Sequence, residues 1–344
     1  MKVVHLLPAL EQGGVETVVC DLVGDLGKMW ESVVVSRGGG LVERVERAGG
    51  RHIALDLKSK NPLTYFTRAW RLRRILRKEK PDLVCVHSRV PAWLFIWANR
   101  GLGLKWISYA HGANSVSRYS EVMTKGDLVV TPSRFLADYL KANYETSERK
   151  IRVIPNAVDT KRFDPDNLDQ AFIAQKRREW GIREGDRVLM AIGRITPVKG
   201  LDDLIREFAA TKSSNAKLVI VGGADKHHQK YLESLKALAS SLIPDPLSLI
   251  FAGQQAKIPE CISIADEIVS ANTTKPETFG LSVIEAYAMN KPVKAKRFGG
   301  VAEVMEAVEK AGKPTLREAV VSLYGQDLQA ERTLSAYREA LDMV

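Results

Sequence analysis

Three cysteines in 344 residues, Cys20, Cys85 and Cys261, with no CxxC pair and no close histidine partners, exclude a disulfide framework and a zinc site of the usual spacing. They are expected to be reduced core thiols. No apolar run approaches the roughly 18 residues of a membrane span. Residues 1–10 are apolar, but Glu11 and Glu16 follow without a basic leader or a small-residue cleavage site, so a cytoplasmic chain is expected. Gly13-Gly14 does not complete Gly-x-Gly-x-x-Gly, which argues against a simple dehydrogenase. No nucleic-acid-binding motif accompanies the basic residues, and charge alone supports only non-specific binding, so nucleic acid is not an expected partner. Internal repeats and low-complexity segments are lacking as well.

What is there begins with length, which suits two domains of ordinary size. The net charge of +10 is carried by one half: residues 1–165 hold 27 Lys+Arg against 17 Asp+Glu, while residues 166–344 hold 24 of each. Much of the excess lies between Lys58 and Lys80, where Arg68, Arg71, Arg73, Arg74, Arg77 and Lys78 are interleaved with Leu63, Phe66, Trp70, Ile75 and Leu76. At helical spacing Leu63, Phe66 and Trp70 fall on one side with the arginines over the rest. That is the pattern of a basic amphipathic helix suited to an anionic lipid surface, or of an outer helix with a core stripe and a solvated basic face. Residues 90–97, Val-Pro-Ala-Trp-Leu-Phe-Ile-Trp, are expected to start a buried helix, with contact to a lipid as the alternative.

Apolar, β-branched runs at 3–7, 32–36, 83–86, 106–109, 128–131 and 151–154 alternate with helical stretches. A second series follows at 187–192, 218–221, 247–251, 267–269 and 292–295. The alternation predicts α/β architecture: two doubly wound parallel sheets with crossover helices. Asp164-Pro165-Asp166 interrupts it, placing a boundary at 163–167 and domains at 1–165 and 166–328, followed by a terminal helix over 329–344. Asp164 and Asp166 also imitate an Asp-x-Asp metal motif, but a proline-held turn explains them, and no metal site is expected.

The most informative segment is Pro276-Glu277-Thr278-Phe279-Gly280-Leu281-Ser282-Val283-Ile284-Glu285. A glycine-bearing turn runs into a helix-forming stretch, so the backbone of Phe279, Gly280, Leu281 and Ser282 would present unpaired N–H groups and the positive end of a helix dipole, which suits a phosphate. Two carboxylates beside an anion site suit hydroxyl partners, because ionised carboxylates only accept hydrogen bonds. Together they read as a site for a nucleotide-activated sugar, against the plain alternative of a strand-to-helix turn with solvated acids. Arg194 and Lys199, five apart on the Gly193–Gly200 loop after a buried strand, would chelate the diphosphate. Gly13 and Gly14 would let the first loop approach a ligand without a Cβ.

This segment resembles the Glu-x7-Glu motif of the retaining glycosyltransferases of the family 4 type. Gly13-Gly14-Val15-Glu16, Ala110-His111-Gly112, Val153-Ile154-Pro155-Asn156-Ala157-Val158-Asp159 with Phe163, and Gly193-Arg194…Lys199-Gly200 resemble further family motifs, in the family's order. The resemblance implies the GT-B fold, two Rossmann-like domains flanking a cleft, the first for the acceptor and the second for the donor, with a C-terminal helix crossing back to the first. It further implies transfer of a hexose-type sugar, with retention and without a metal or other cofactor, from a UDP- or GDP-sugar. Glu285 would bind the ribose hydroxyls and Glu277 the donor sugar. Arg194 and Lys199 would stabilise the departing diphosphate, and His111 would bond the transferred sugar. A glycan or glycolipid acceptor at the anionic inner face of the cytoplasmic membrane, in lipopolysaccharide or cell-envelope synthesis, fits the basic helix. The competing readings are a nucleotide-sugar epimerase of the same general fold and a degenerate, non-catalytic subunit.

Three departures from the family pattern stand out. Asn290 replaces a glycine and would occupy a left-handed position. Lys294, Lys296 and Arg297 bring charge before Gly299-Gly300, and no strand signal follows Glu303. His87-Ser88-Arg89 is expected as an acceptor-side loop, at the ligand-binding end of its strand, whereas His5, His52 and His87 show no partner in sequence and His227-His228 are expected in solvent.

Overall fold

The computed structural model describes residues 1–343 except 12, 28, 212–214 and 271–274. The first sheet comprises β1 (Lys2–Leu6), β2 (Glu31–Ser36), β3 (Arg51–Ala54), β4 (Leu83–Val86), β5 (Lys105–Tyr109), β6 (Leu128–Thr131) and β7 (Ile151–Val153). They are ordered β3-β2-β1-β4-β5-β6-β7 and pair in parallel throughout. The second comprises β8 (Arg187–Ile192), β9 (Ala216–Val221), β10 (Leu249–Gly253), β11 (Glu267–Ser270) and β12 (Val293–Ala295), ordered β10-β9-β8-β11-β12 and likewise parallel. The alternation of apolar runs and helices therefore folds as expected, because parallel strands need crossovers and are buried on both faces.

β3 escaped the sequence pattern. Its residues, Arg-His-Ile-Ala, hold an edge position where only the middle two are half-buried, so no apolar run marks it. β12 is the opposite edge of the other sheet, and Lys294 on it is exposed, which accounts for the charge there: a lysine on an edge discourages further pairing. Asn290 does adopt left-handed backbone, φ 53°, and its Oδ1 accepts from the Arg317 amide at 2.9 Å.

The contacts divide the chain into one unit of residues 1–157 with 326–344 and another of 158–325. The first division point precedes the 163–167 boundary read from sequence. Val158 and Phe163 lie in the core of the second unit, and Arg317 donates to the carbonyls of Phe163 and Thr160 and pairs with Asp164 at 3.4 Å. Asp164 Oδ1 accepts from the Asp166 amide at 3.3 Å, so this aspartate serves a turn. The terminal helix Gln326–Asp342 belongs to the first unit. Tyr337 is fully buried edge-on to Trp30, Glu339 pairs with Arg152 on β7, and Gln329 donates to the Pro155 carbonyl at 3.1 Å.

Candidate functional site

In each sheet the crossovers reverse direction at one place, between β8 and β11 in the second unit and between β1 and β4 in the first. Ligands of open α/β sheets bind outside the carboxyl ends of the strands at such switch points. Ten of the eleven residues singled out in sequence lie in loops or helix starts after strand ends, and Glu285 lies within the helix Leu281–Ala288; Gly13, Gly14 and His111 are in the first unit, the rest in the second.

After β8, the Gly193 amide donates to Val221 and the Ile195 amide to Gly223, at 3.0 and 2.9 Å, and Ile195 is buried. These anchors leave Arg194 between them with its side chain exposed. Lys199 ends the short turn Pro197–Lys199 and lies back across the loop, so that a Cβ at Gly193 would stand 3.4 Å from its Cε. Its ammonium forms an ion pair with Glu277.

Glu277 is held from the other side. Its carbonyl accepts from the Gly300 amide at 2.8 Å, and a Cβ on Gly300 would run into the Thr278 carbonyl. Phe279 is not a surface contact: its ring is buried edge-on against Tyr324, so it anchors the turn and contributes only backbone to the candidate site. Gly280 opens the helix Leu281–Ala288 at φ 98°, where a side chain would be strained and its Cβ would stand 2.8 Å from Val301. Among the described residues no side chain caps this helix, which leaves its first amides for another partner. The same hypothetical Cβ would lie 3.7 Å from Glu277 Oε2, which sets the carboxylate beside the helix start. Lysine, carboxylate and the positive helix end are thus contiguous, and Glu285, half-buried, follows on the same helix.

In the first unit, Gly13 starts the helix Gly14–Leu26 with extended backbone, φ −177°, and with no side-chain cap among the described residues. The space a Cβ would take is filled by the Glu16 carboxylate, so an anion approaching Gly13 must displace that acid. His111 lies beyond β5 and is one of three linked histidines. His5 Nδ1 is 3.0 Å from His87 Nε2, and His87 Nδ1 is 3.0 Å from His111 Nε2. Tyr109 stacks on His87 with ring centroids 4.7 Å apart. Burial pushes His5 and His111 down to about 4 and His87 well below its ordinary value.

This cluster was missed in sequence. His5 and His87 have partners, and His87 is buried rather than presented on a loop. The signal was the strand register. His5 pairs with Cys85 and Cys85 with Ile107, so His87 and Tyr109, two residues further on, point to the face that His5 occupies. Of the other histidines, His52 bonds Ser36 at 3.0 Å, and His228 bonds Asp225 on an exposed loop.

The basic stretch forms the helix Tyr65–Glu79. Its core stripe is Ala69, Leu72 and Leu76, while Leu63, Phe66 and Trp70 are 88, 62 and 50% exposed and Arg74 stacks over Trp70. Arg68 is not on the solvated face: it is buried and donates to the carbonyls of Asp56, Ser59, Asn61 and Thr64. The helix Arg89–Ala98 is largely buried, through Pro91, Ala92, Leu94, Phe95 and Ala98. A shallow depression beside Met1, Trp30 and Asp82 lies at the amino ends of the strands, remote from these groups. Among the described residues no helix is long and apolar enough to cross a membrane, and no three His, Cys, Asp or Glu side chains gather as metal ligands would.

Comparison with known proteins follows the same division. The family model Glycosyltransferase Family 4 matches residues 12–162, and Glycosyl transferases group 1 matches residues 172–313. A solved glycosyltransferase from Rickettsia africae ESF-5 is 25% identical, with a TM-score of 0.86 over 100% of this chain and 99% of that one. Anabaena Alr3699/HepE, solved in complex with UDP-glucose, shares the fold with a TM-score of 0.76 at 19% identity, over 99% of this chain and 98% of that one. Lipopolysaccharide 1,2-N-acetylglucosaminetransferase of Salmonella typhimurium is 26% identical over 71% of this chain and 62% of that protein. The chain spans less than two thirds of the length of the curated relatives it matches, 36 to 62%. With its paired parallel sheets, its returning terminal helix and both family matches in order, the chain belongs to the GT-B glycosyltransferases.

Proposed function

We propose that the protein is a retaining, metal-independent glycosyltransferase that moves a hexose-type sugar from a UDP- or GDP-sugar to a glycan or glycolipid acceptor. The observation that carries this reading is the Lys199–Glu277 pair beside the uncapped start of helix Leu281–Ala288 at the second sheet's switch point. A departing diphosphate needs positive charge fixed in advance, a largely electrostatic task. Lys199, the exposed Arg194 and the leading helix amides supply it from this chain's own groups. Glu277, set by Lys199 and the Gly300 amide, accepts hydrogen bonds from sugar hydroxyls, and Glu285 accepts them from the ribose. By the family pattern His111 bonds the transferred sugar. Support for a nucleotide-sugar donor comes from the fold shared with the UDP-glucose-bound Anabaena protein.

Membrane placement is part of the proposal. Leu63, Phe66 and Trp70 stand exposed beside Arg71, Arg74 and Arg77, so the apolar side of the basic helix is open to an anionic lipid surface, as a peripheral enzyme at the inner face of the cytoplasmic membrane requires. The lipopolysaccharide or cell-envelope setting follows the activity of the Salmonella relative.

Thermal denaturation with UDP, GDP, ADP and their sugar conjugates in EDTA tests the donor site. A ligand at about 100 times its Kd adds about 2.7 kcal/mol to the folded state. Selective stabilisation by one diphosphate in EDTA is expected. A cooperative melt that none of them moves, or that moves only with a divalent cation present, overturns the reading.

A further inference from the structure

Arg89 is a cation without a counter-charge. It begins the helix Arg89–Ala98 directly after His87-Ser88, outside the carboxyl end of β4 and thus at the switch point of the first sheet. The residue is half-buried, and a charge drawn out of water normally finds a carboxylate or a set of carbonyls. Other arginines at similar depth do so. Arg44 pairs with Asp21, Arg152 with Glu339 and Arg317 with Asp164, while Arg68 and Arg73 donate to carbonyls. Among the described residues Arg89 has neither. Its Nη1 donates to Ser120 Oγ at 3.0 Å, and its guanidinium lies over the Tyr119 ring, 5.3 Å from the centroid. The acid next to Ser120, Glu121, pairs with Lys125 instead. A hydroxyl and a ring face therefore hold the group in place but leave its charge and most of its donors unspent. A planar fork fixed in this way matches a phosphate.

The surface that leads away from it is aromatic. Arg89, Trp93 and Trp97 are spaced four apart and share one face of their helix. Trp93 and Tyr119 are both exposed, and Trp93 Nε1 donates to the Tyr119 carbonyl at 3.1 Å. The Trp93 carbonyl in turn accepts from the Tyr65 hydroxyl at 2.7 Å, and Phe66 meets Trp97 edge-on with ring centroids 5.9 Å apart. These ties join the arginine to the exposed Phe66 on the basic helix Tyr65–Glu79. The strip is cationic at the ligand-binding end of the sheet and apolar along its length.

The structure assigns this strip to one amphiphilic ligand, a lipid whose phosphate is held by Arg89 and whose hydrocarbon lies along Trp93 and Tyr119 toward Phe66. A free sugar has no use for the aromatic strip, and a neutral lipid leaves the arginine uncompensated. That this lipid is the acceptor, so that Arg89 selects phosphorylated over neutral glycolipids, rests on the function proposed above; the lipid site does not.

Calorimetric titration of the full chain with dihexanoyl phosphatidic acid, kept below its micelle concentration and without nucleotide, tests the site. Saturable binding is expected, about ten-fold or more tighter than that of dihexanoylglycerol, which lacks the phosphate, or of inorganic phosphate, which lacks the tails. Arg89→Gln should weaken it by about ten-fold or more, as loss of a charge-assisted hydrogen bond does. Absence of binding, equal binding of dihexanoylglycerol or of inorganic phosphate, or an unchanged affinity in folded Arg89→Gln overturns the assignment. Should Arg89→Gln fail to fold, Trp93→Ser takes its place: it should bind the lipid about five-fold more weakly, and an unchanged affinity overturns the assignment equally. Because no nucleotide sugar is present, failure here leaves the donor site standing, and failure of the donor melts leaves the lipid site standing.

Discussion

Acid should destabilise the first unit through its buried histidines, and His5 allows the size to be worked out. Burial alone pushes it down to about 4, against about 6.5 in the unfolded chain. Between these values the unfolded chain binds a proton that the native protein does not, so stability falls as pH falls through this window and is flat above it. The full loss is about 3 kcal/mol, of which about 2 kcal/mol is reached at pH 5. His5→Phe removes this proton while filling the same buried space. Urea denaturation followed by tryptophan fluorescence is a suitable assay, since Trp30, Trp70, Trp93, Trp97 and Trp106 lie in the unit that holds His5, and only Trp180 lies in the other. The stability of His5→Phe relative to wild type should rise by about 2 kcal/mol between pH 7.5 and pH 5. Parallel pH profiles for the two proteins would refute the reasoning, because they would mean that His5 is protonated in the native state or already neutral in the unfolded one.

Glu285→Ala is expected to weaken nucleotide binding by about ten-fold or more, as loss of a charge-assisted hydrogen bond does, while Glu277→Ala should lower kcat more than nucleotide affinity; equal losses in both variants, measured by calorimetry and initial rates, would remove these roles. Gly300→Ala should cost at least about 2 kcal/mol in denaturation experiments, because its Cβ would collide with the Thr278 carbonyl in a turn that also fixes Glu277; a neutral effect would show the turn to be compliant. Sedimentation with vesicles containing anionic lipid should show Phe66→Ser/Trp70→Ser binding about thirty-fold more weakly, as expected for two half-exposed aromatics worth about 1 kcal/mol each, and unchanged binding would remove this helix as the docking face. Arg68→Met should destabilise the protein by about 2–4 kcal/mol, since four carbonyls lose their donor, with retained stability marking the 56–64 loop as independent of it.

The sequence by itself determined every strand but the edge strand β3, because buried parallel strands are written as continuous apolar runs, and it determined that the 276–285 segment turns into a helix, because such a turn needs glycine at Gly280 and leaves amides at a known place. It also determined that Asn290 would sit in left-handed backbone, one of the few residues that tolerates it. Local chemistry was enough for each of these. Tertiary structure decided what depended on partners distant in the chain. Lys199 and Glu277 are 78 residues apart and meet only because β8 and β11 are neighbours. His5 and His87 are 82 residues apart and meet because β1 pairs with β4 in one particular register; a shift of one residue would turn His87 to the other face. The exposed face of helix Tyr65–Glu79 was likewise undetermined. Period 3.6 offers two apolar stripes, and packing of Ala69, Leu72 and Leu76 into the core left Phe66 and Trp70 in solvent. Periodicity fixes which residues share a face, but only the neighbouring elements fix which face is buried.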